Sequence, residues 1–184
     1  VILATTDKPF SLAGTSMGAW VAFYIAAKHP ERVNRLAVMN AWFKYDEEKV
    51  ENQRNVRNYI QDGNYNEFAE SYMKYAIVVG KLQDKDFLDL IKNQVRRGND
   101  KVLLKHLKAY VEDFGSEEFI KKIKCPTLVI AAKDDTNNSI EEQTELSQSI
   151  KNARMVEVDN CGNFAPFEQP QAISALLRYW IKYF

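Results

Sequence analysis

Apolar and polar residues change rhythm twice along this chain, and each change marks a change of architecture. Residues 10–13 are a short apolar stretch with Phe10, Leu12 and Ala13, which predicts a strand. Residues 17–28 follow as an almost unbroken apolar run, with Val21, Ala22, Phe23, Ile25, Ala26 and Ala27. A run of that length predicts a helix, and one with so little polar surface has to be nearly enclosed. His29-Pro30 stops it, because proline disfavours helical geometry in the residue before it. Residues 35–39 then read as a second buried strand, which completes a strand, crossover helix, strand unit.

From residue 45 to about 123 the period becomes that of amphipathic helices. Phe68, Tyr72, Met73 and Ala76 fall on one face, Phe87, Leu88, Leu90, Ile91 and Val95 on a second, and Leu103, Leu104, Leu107, Val111 and Phe114 on a third. Asp62-Gly63-Asn64, Gly80 and Gly98-Asn99-Asp100 separate them. The strand-helix alternation returns after Cys125-Pro126: residues 127–131 and 155–158 are strands, and Ser139 with Glu142 forms a capping box at a helix start between them. The last helix begins at Pro170 and buries Ile173, Leu176, Leu177 and Trp180. The pattern predicts an α/β fold with a mostly parallel four-stranded sheet and helices on both faces. It divides into core segments 1–44 and 124–184 around a helical insertion at 45–123.

Composition narrows the classes. With 184 residues, 46% hydrophobic and 27% charged, the chain can bury one substantial core. Lys+Arg and Asp+Glu balance at 25 each, so no overall field draws it to nucleic acid or an anionic membrane, and a small molecule is the expected partner. Two cysteines, Cys125 and Cys161, make no disulfide framework, the start lacks a signal-peptide pattern, and the longest apolar run falls short of the roughly 20 residues of a membrane span. A cytoplasmic setting is expected. Two histidines far apart and unpaired cysteines provide no metal constellation, and no cofactor is implied.

Candidate chemistry centres on Gly14-Thr15-Ser16-Met17-Gly18, at the junction of the first strand and helix. Gly-x-Ser-x-Gly in that place puts a serine hydroxyl on a sharp turn, with Gly14 and Gly18 allowing backbone to approach closely. Ser16 is the candidate nucleophile. The motif, with His29-Pro30-Glu31-Arg32-Val33 downstream, resembles the α/β-hydrolase superfamily, and so do two later segments. Ile123-Lys124-Cys125-Pro126-Thr127-Leu128-Val129-Ile130 leading to Asp134-Asp135 is similar to the segment that delivers the family's acid, and Asn160-Cys161-Gly162-Asn163-Phe164-Ala165-Pro166 to the segment that carries its histidine. The resemblance covers the carboxy-terminal two thirds of such a fold, and the insertion takes the place of the family's helical lid, with features reminiscent of small carboxylesterases.

The resemblance implies acyl-ester hydrolysis in which Ser16 attacks, Asp135 orients the base and the Met17 N–H is one oxyanion donor. Asp134 is the rival for the acid position. Asn163 stands in the place of the usual histidine, and a carboxamide has no nitrogen that takes a proton near neutral pH. It is a natural replacement, an inactivating substitution that traps substrate, or a loop residue. His29 ends a helix far from Ser16, His106 falls in the insertion, and Cys161 lacks a histidine to activate it. Trp42, Phe43, Tyr65, Phe68, Tyr72 and Tyr75 line an acyl pocket or simply fill core. The family's earlier strands and second oxyanion donor are expected to lie upstream of this chain, leaving residues 10–13 as an open edge suited to homodimerisation or strand exchange. The readings are therefore an impaired serine hydrolase of carboxylic esters or, alternatively, a non-catalytic binder of small acyl ligands.

Overall fold

The computed structural model describes residues 1–44, 46–64, 70, 73, 76–97, 100–112 and 116–184. β1 (Phe10–Thr15), β2 (Val33–Met39), β3 (Thr127–Ala132) and β4 (Ala153–Val158) form one parallel sheet in the order β1-β2-β3-β4. Sequential order with parallel pairing requires every connection to cross over, and α1 (Met17–Lys28) and α6 (Ile140–Ser149) make the crossovers β1 to β2 and β3 to β4. The central strands are buried on both faces, as their unbroken apolar sequence requires.

Alternation along those strands builds two cores. Leu36, Val38 and Val129 point to the side where α1 supplies Ala19, Ala22, Phe23 and Ala26, and α6 supplies Leu146. Ala37, Met39, Leu128 and Ile130 point to the other side, where α8 (Pro170–Tyr183) buries Ile173 and Trp180, with Leu176 and Leu177 partly covered. Both stripes follow the expected spacing. The capping box is also formed: the Ser139 Oγ accepts from the Glu142 N–H at 3.2 Å and the Glu142 Oε2 accepts from the Ser139 N–H at 2.8 Å, a reciprocal pair of the kind that contributes about 1 kcal/mol.

Between β2 and β3 run α2 (Glu47–Gln61), α3 (Lys85–Arg96), α4 (Asp100–Glu112) and the short α5 (Glu117–Ile120). Phe87 and Ile91 of α3 bury against Met73 and Ile77, while Leu90 is 45% exposed and does not share that face. The heptad-like stripe is thus narrower than its sequence suggests. Tyr65, Phe68, Tyr72, Tyr75, Phe114, Gly98 and Asn99, with the side chains of Val95, Leu103 and Val111, lie outside the described residues. Trp42 and Phe43 are buried, Phe43 within the core on the α1 side.

Two expectations need correction. The α1 helix is not enclosed, since Val21 and Tyr24, three residues apart, are 39% and 46% exposed. Its sequence is apolar on a face that the described sheet does not reach. The glycines of the turn are also unequal. A Cβ at Gly14 would lie 2.4 Å from the Gly18 carbonyl oxygen and 2.7 Å from the Ala19 nitrogen. At Gly18 a Cβ would meet nothing within 4 Å among the described residues. Close approach is therefore a requirement at Gly14 alone. Gly14→Ala is expected to destabilise by about 1–3 kcal/mol through overpacking. Gly18→Ala, in a helical turn, is expected to be neutral or stabilising by up to about 1 kcal/mol. Urea unfolding midpoints of the two variants check the contrast.

Candidate functional site

Ser16, Asp135 and Asn163 follow the carboxyl ends of β1, β3 and β4, the end where parallel α/β sheets bind ligands. Ser16 follows β1 directly and has φ 49° and ψ −122°, a left-handed conformation outside the region favoured for a side-chain-bearing residue. Its N–H donates to the Met39 carbonyl at the end of β2 (3.0 Å), and its carbonyl accepts from the Ala19 N–H of α1 (2.9 Å). The strained turn is held from both sides. Met17, the first residue of α1, has an N–H that helix geometry leaves without an intrahelical carbonyl. Among the described residues, the Ser16 hydroxyl makes no side-chain hydrogen bond.

Asp135 follows β3 and is 7% exposed. Its Oδ2 accepts from the Nδ2 of Asn40 (2.9 Å), Asn138 (2.8 Å) and Asn163 (3.1 Å), and its Oδ1 accepts from the Asn137 N–H (2.9 Å) and from Asn163 Nδ2 (3.4 Å). The neighbouring Asp134 is exposed and turned elsewhere: its Oδ2 accepts from the Cys161 N–H at 3.2 Å, while its own N–H donates to the Cys161 carbonyl at 2.9 Å. Of the two aspartates, only Asp135 meets Asn163. The carboxamide thus occupies a place beside the carboxylate where it donates to both oxygens.

The other sequence candidates stay apart. His29 terminates α1 and lies 3.7 Å from Glu31, some 18 Å along the helix axis from Ser16, and His106 is exposed on α4. Cys161 is fully buried, and burial, followed by the charges of Glu168, Asp135 and Asp134, pushes its thiol up to about 12. A group so reluctant to ionise is no nucleophile. Among the described residues no cluster of three His, Cys, Asp or Glu side chains could hold a metal ion.

Sequence reasoning missed three residues. Asn40, 1% exposed with φ 51°, follows β2 and bridges Asp135 to the Gly162 carbonyl (3.3 Å). Asn adopts that left-handed geometry more readily than most residues. Asn138 approaches the same carboxylate from the start of the α6 segment. Glu168, in α7 (Ala165–Glu168), is 3% exposed and takes the backbone N–H groups of Val78 (2.9 Å), Gly162 (3.1 Å) and Phe164 (3.0 Å). A Pro-capped apolar helix with one glutamate was the only signal for it.

A family model described as the Ndr family matches residues 9–184 of the chain. The chain belongs to the Ndr family. This Ndr family chain is 25% identical to monoacylglycerol lipase ABHD6 of Homo sapiens in an alignment 186 residues long that covers 95% of the chain and 55% of that protein. It is 24% identical over 188 residues to the pimeloyl-[acyl-carrier protein] methyl ester esterase of Neisseria meningitidis, covering 98% of the chain and 72% of that enzyme. The chain therefore spans just over half the length of the lipase. Among solved structures, a thermophilic esterase from Thermogutta terrifontis superposes with a TM-score of 0.86 at 22% identity, over 95% of this chain and 65% of that one. The enol-lactonase from Burkholderia xenovorans superposes with a TM-score of 0.88 at 19% identity, over 98% and 68%. These likenesses establish the α/β-hydrolase fold for this member of the Ndr family.

Burial raises the Glu168 carboxyl above its ordinary 4.5, against the lowering effect of its three backbone donors, and the Asp135 charge adds to the rise. A folded-state value above the unfolded one means that the folded chain binds the extra proton. Stability from this group is therefore greatest below the ordinary value and falls as pH rises through the raised one. Glu168→Gln removes that dependence. The stability of the parent relative to this variant is expected to decline as pH rises through that window, which urea midpoints measured at its two ends will show.

Proposed function

We propose that the chain is the nucleophile-to-base portion of a serine-type hydrolase acting on carboxylic esters or related acyl compounds, disabled at the base. The observation that carries this reading is the Asn163 carboxamide donating to both oxygens of Asp135 at 3.1 and 3.4 Å, where the family resemblance expects a histidine. In it Ser16 is the nucleophile on a strained turn, the Met17 N–H an oxyanion donor, and Asp135 the orienting acid. Asn163 satisfies the acid but cannot take the proton from Ser16, because its only donor–acceptor group has no basic nitrogen. Names of the similar proteins support the substrate class, since they include a lipase and esterases.

The helices between residues 45 and 123 serve in this reading as a lid over the ends of the strands, with the core in residues 1–44 and 124–184. Two buried, unpaired cysteines fit a reducing cytoplasmic setting. A second reading is favoured by the Ser16 hydroxyl meeting no base among the described residues: a module that holds a small acyl ligand without turning it over.

Asn163→His is expected to raise hydrolysis of short p-nitrophenyl esters by on the order of 10²-fold or more, the scale of general acid–base catalysis. Ser16→Ala in the same variant is expected to remove the gain. No gain, with the ligand still bound, would move the binding reading ahead. Within the described sheet β1 pairs only with β2, and in this reading its other edge takes either earlier strands of a longer chain or a strand of a second copy. Size exclusion of residues 1–184 with light scattering is expected to give a dimer if the second copy fills it, and a stable monomer would remove that part of the proposal.

A further inference from the structure

Glu168 is a carboxylate buried to 3% exposure that no Lys, Arg or His pairs with among the described residues. Its oxygens are taken up by backbone instead. Oε2 accepts from Val78 (2.9 Å) and Gly162 (3.1 Å), and Oε1 accepts from Phe164 (3.0 Å). Gly162 and Phe164 flank Asn163, whereas Val78 belongs to the helical stretch between β2 and β3. The residue it brackets is tied to the same stretch, because the Asn163 N–H donates to the Ala76 carbonyl at 2.7 Å. The fit is tight: a Cβ at Gly162 would stand 2.7 Å from the Ala76 oxygen and 3.0 Å from the Val78 nitrogen. Phe164 continues the contact by packing against the cluster of Met73, Ile77, Phe87 and Ile91.

We infer that Glu168 is a positioning residue: its carboxylate fixes where residue 163 stands against Asp135 and couples that placement to the seating of residues 76–78. The chemistry demands an anion with two free oxygens. Three N–H donors converge on it, and a carboxamide would turn its own NH2 group toward at least one of them. Residue 163 as the base position rests on the proposed function, so the readout is chosen to stand apart from turnover.

Solvent exchange of the asparagine side-chain NH2 groups, followed by nitrogen-15 NMR, reports two of the three amides that share the Asp135 carboxylate, those of Asn163 and Asn138. In Glu168→Gln the Asn163 NH2 is expected to exchange on the order of tenfold faster, and the Asn138 NH2 to remain within about twofold of the parent. A fastener that contributed stability alone would move both signals together or neither, and either result overturns the inference. Should Glu168→Gln fail to fold, Gly162→Ala, which forces the loop from residues 76–78 with Glu168 intact, is expected to give the same split, and an unmoved Asn163 signal would overturn it. In the Asn163→His chain Glu168→Gln is expected to lower kcat by about tenfold or more with little change in KM, as small misplacements of a reacting group do. An Asn163 signal that moves in a chain whose Asn163→His variant stays inactive supports the positioning role and counts against the hydrolase reading alone.

Discussion

Among the described residues no cation pairs with the buried Asp135 carboxylate, so dipoles have to meet it, and the ends of all four strands are arranged around those donors. An ion that deep costs several kcal/mol unless its lone pairs are used. Asn40 brings a donor from the end of β2, Asn137 and Asn138 from the β3 loop itself, and Asn163 from the loop after β4. Ser16 joins the same group through the residue before Asn40, since its N–H binds the Met39 carbonyl. The loops are held in register by one charge. That constraint also explains why Asp134, one residue away and exposed, is free to serve the Cys161 backbone instead.

In the proposed reading, asparagine in place of histidine at residue 163 is conservative in shape of interaction and radical in chemistry. A carboxamide reproduces the donation to the acid, so the loop keeps its place and the carboxylate keeps its partner. What it cannot reproduce is proton uptake in the pH range where acyl transfer runs. The turn at Ser16 nonetheless has a left-handed φ of 49°, a strain of roughly 1–3 kcal/mol at a half-buried serine that the proposed nucleophile role would account for. Geometry and chemistry part company at a single side chain.

Much of the architecture was legible because it follows from periodicity. The doubly buried strands, the Ser139–Glu142 box and the Pro170 helix start are local signals, and each appears where its sequence places it, with strand ends extended by one or two residues. The enclosure of α1 was misjudged because apolar composition tells how much surface could be buried, not what is there to cover Val21 and Tyr24. Gly14 and Gly18 look equivalent in a motif, and only the path of the backbone shows that Gly14 alone is crowded. Asn40, Asn138 and Glu168 were silent for different reasons. Asn40 and Glu168 meet partners that folding alone brings near, 95 residues away for Asn40 and 90 for the contact of Glu168 with Val78, whereas Asn138, three residues from Asp135, lies in an Asp- and Asn-rich run that reads equally as a turn.

The most direct measurement is intact-mass analysis of the chain after treatment with a fluorophosphonate, which reacts with a serine hydroxyl only when a base activates it. The account predicts no stoichiometric adduct on Ser16 in the chain as it stands, and a full adduct on Ser16 once Asn163 is replaced by histidine. Stoichiometric labelling of Ser16 with Asn163 in place would contradict it, because some other group would then be acting as the base.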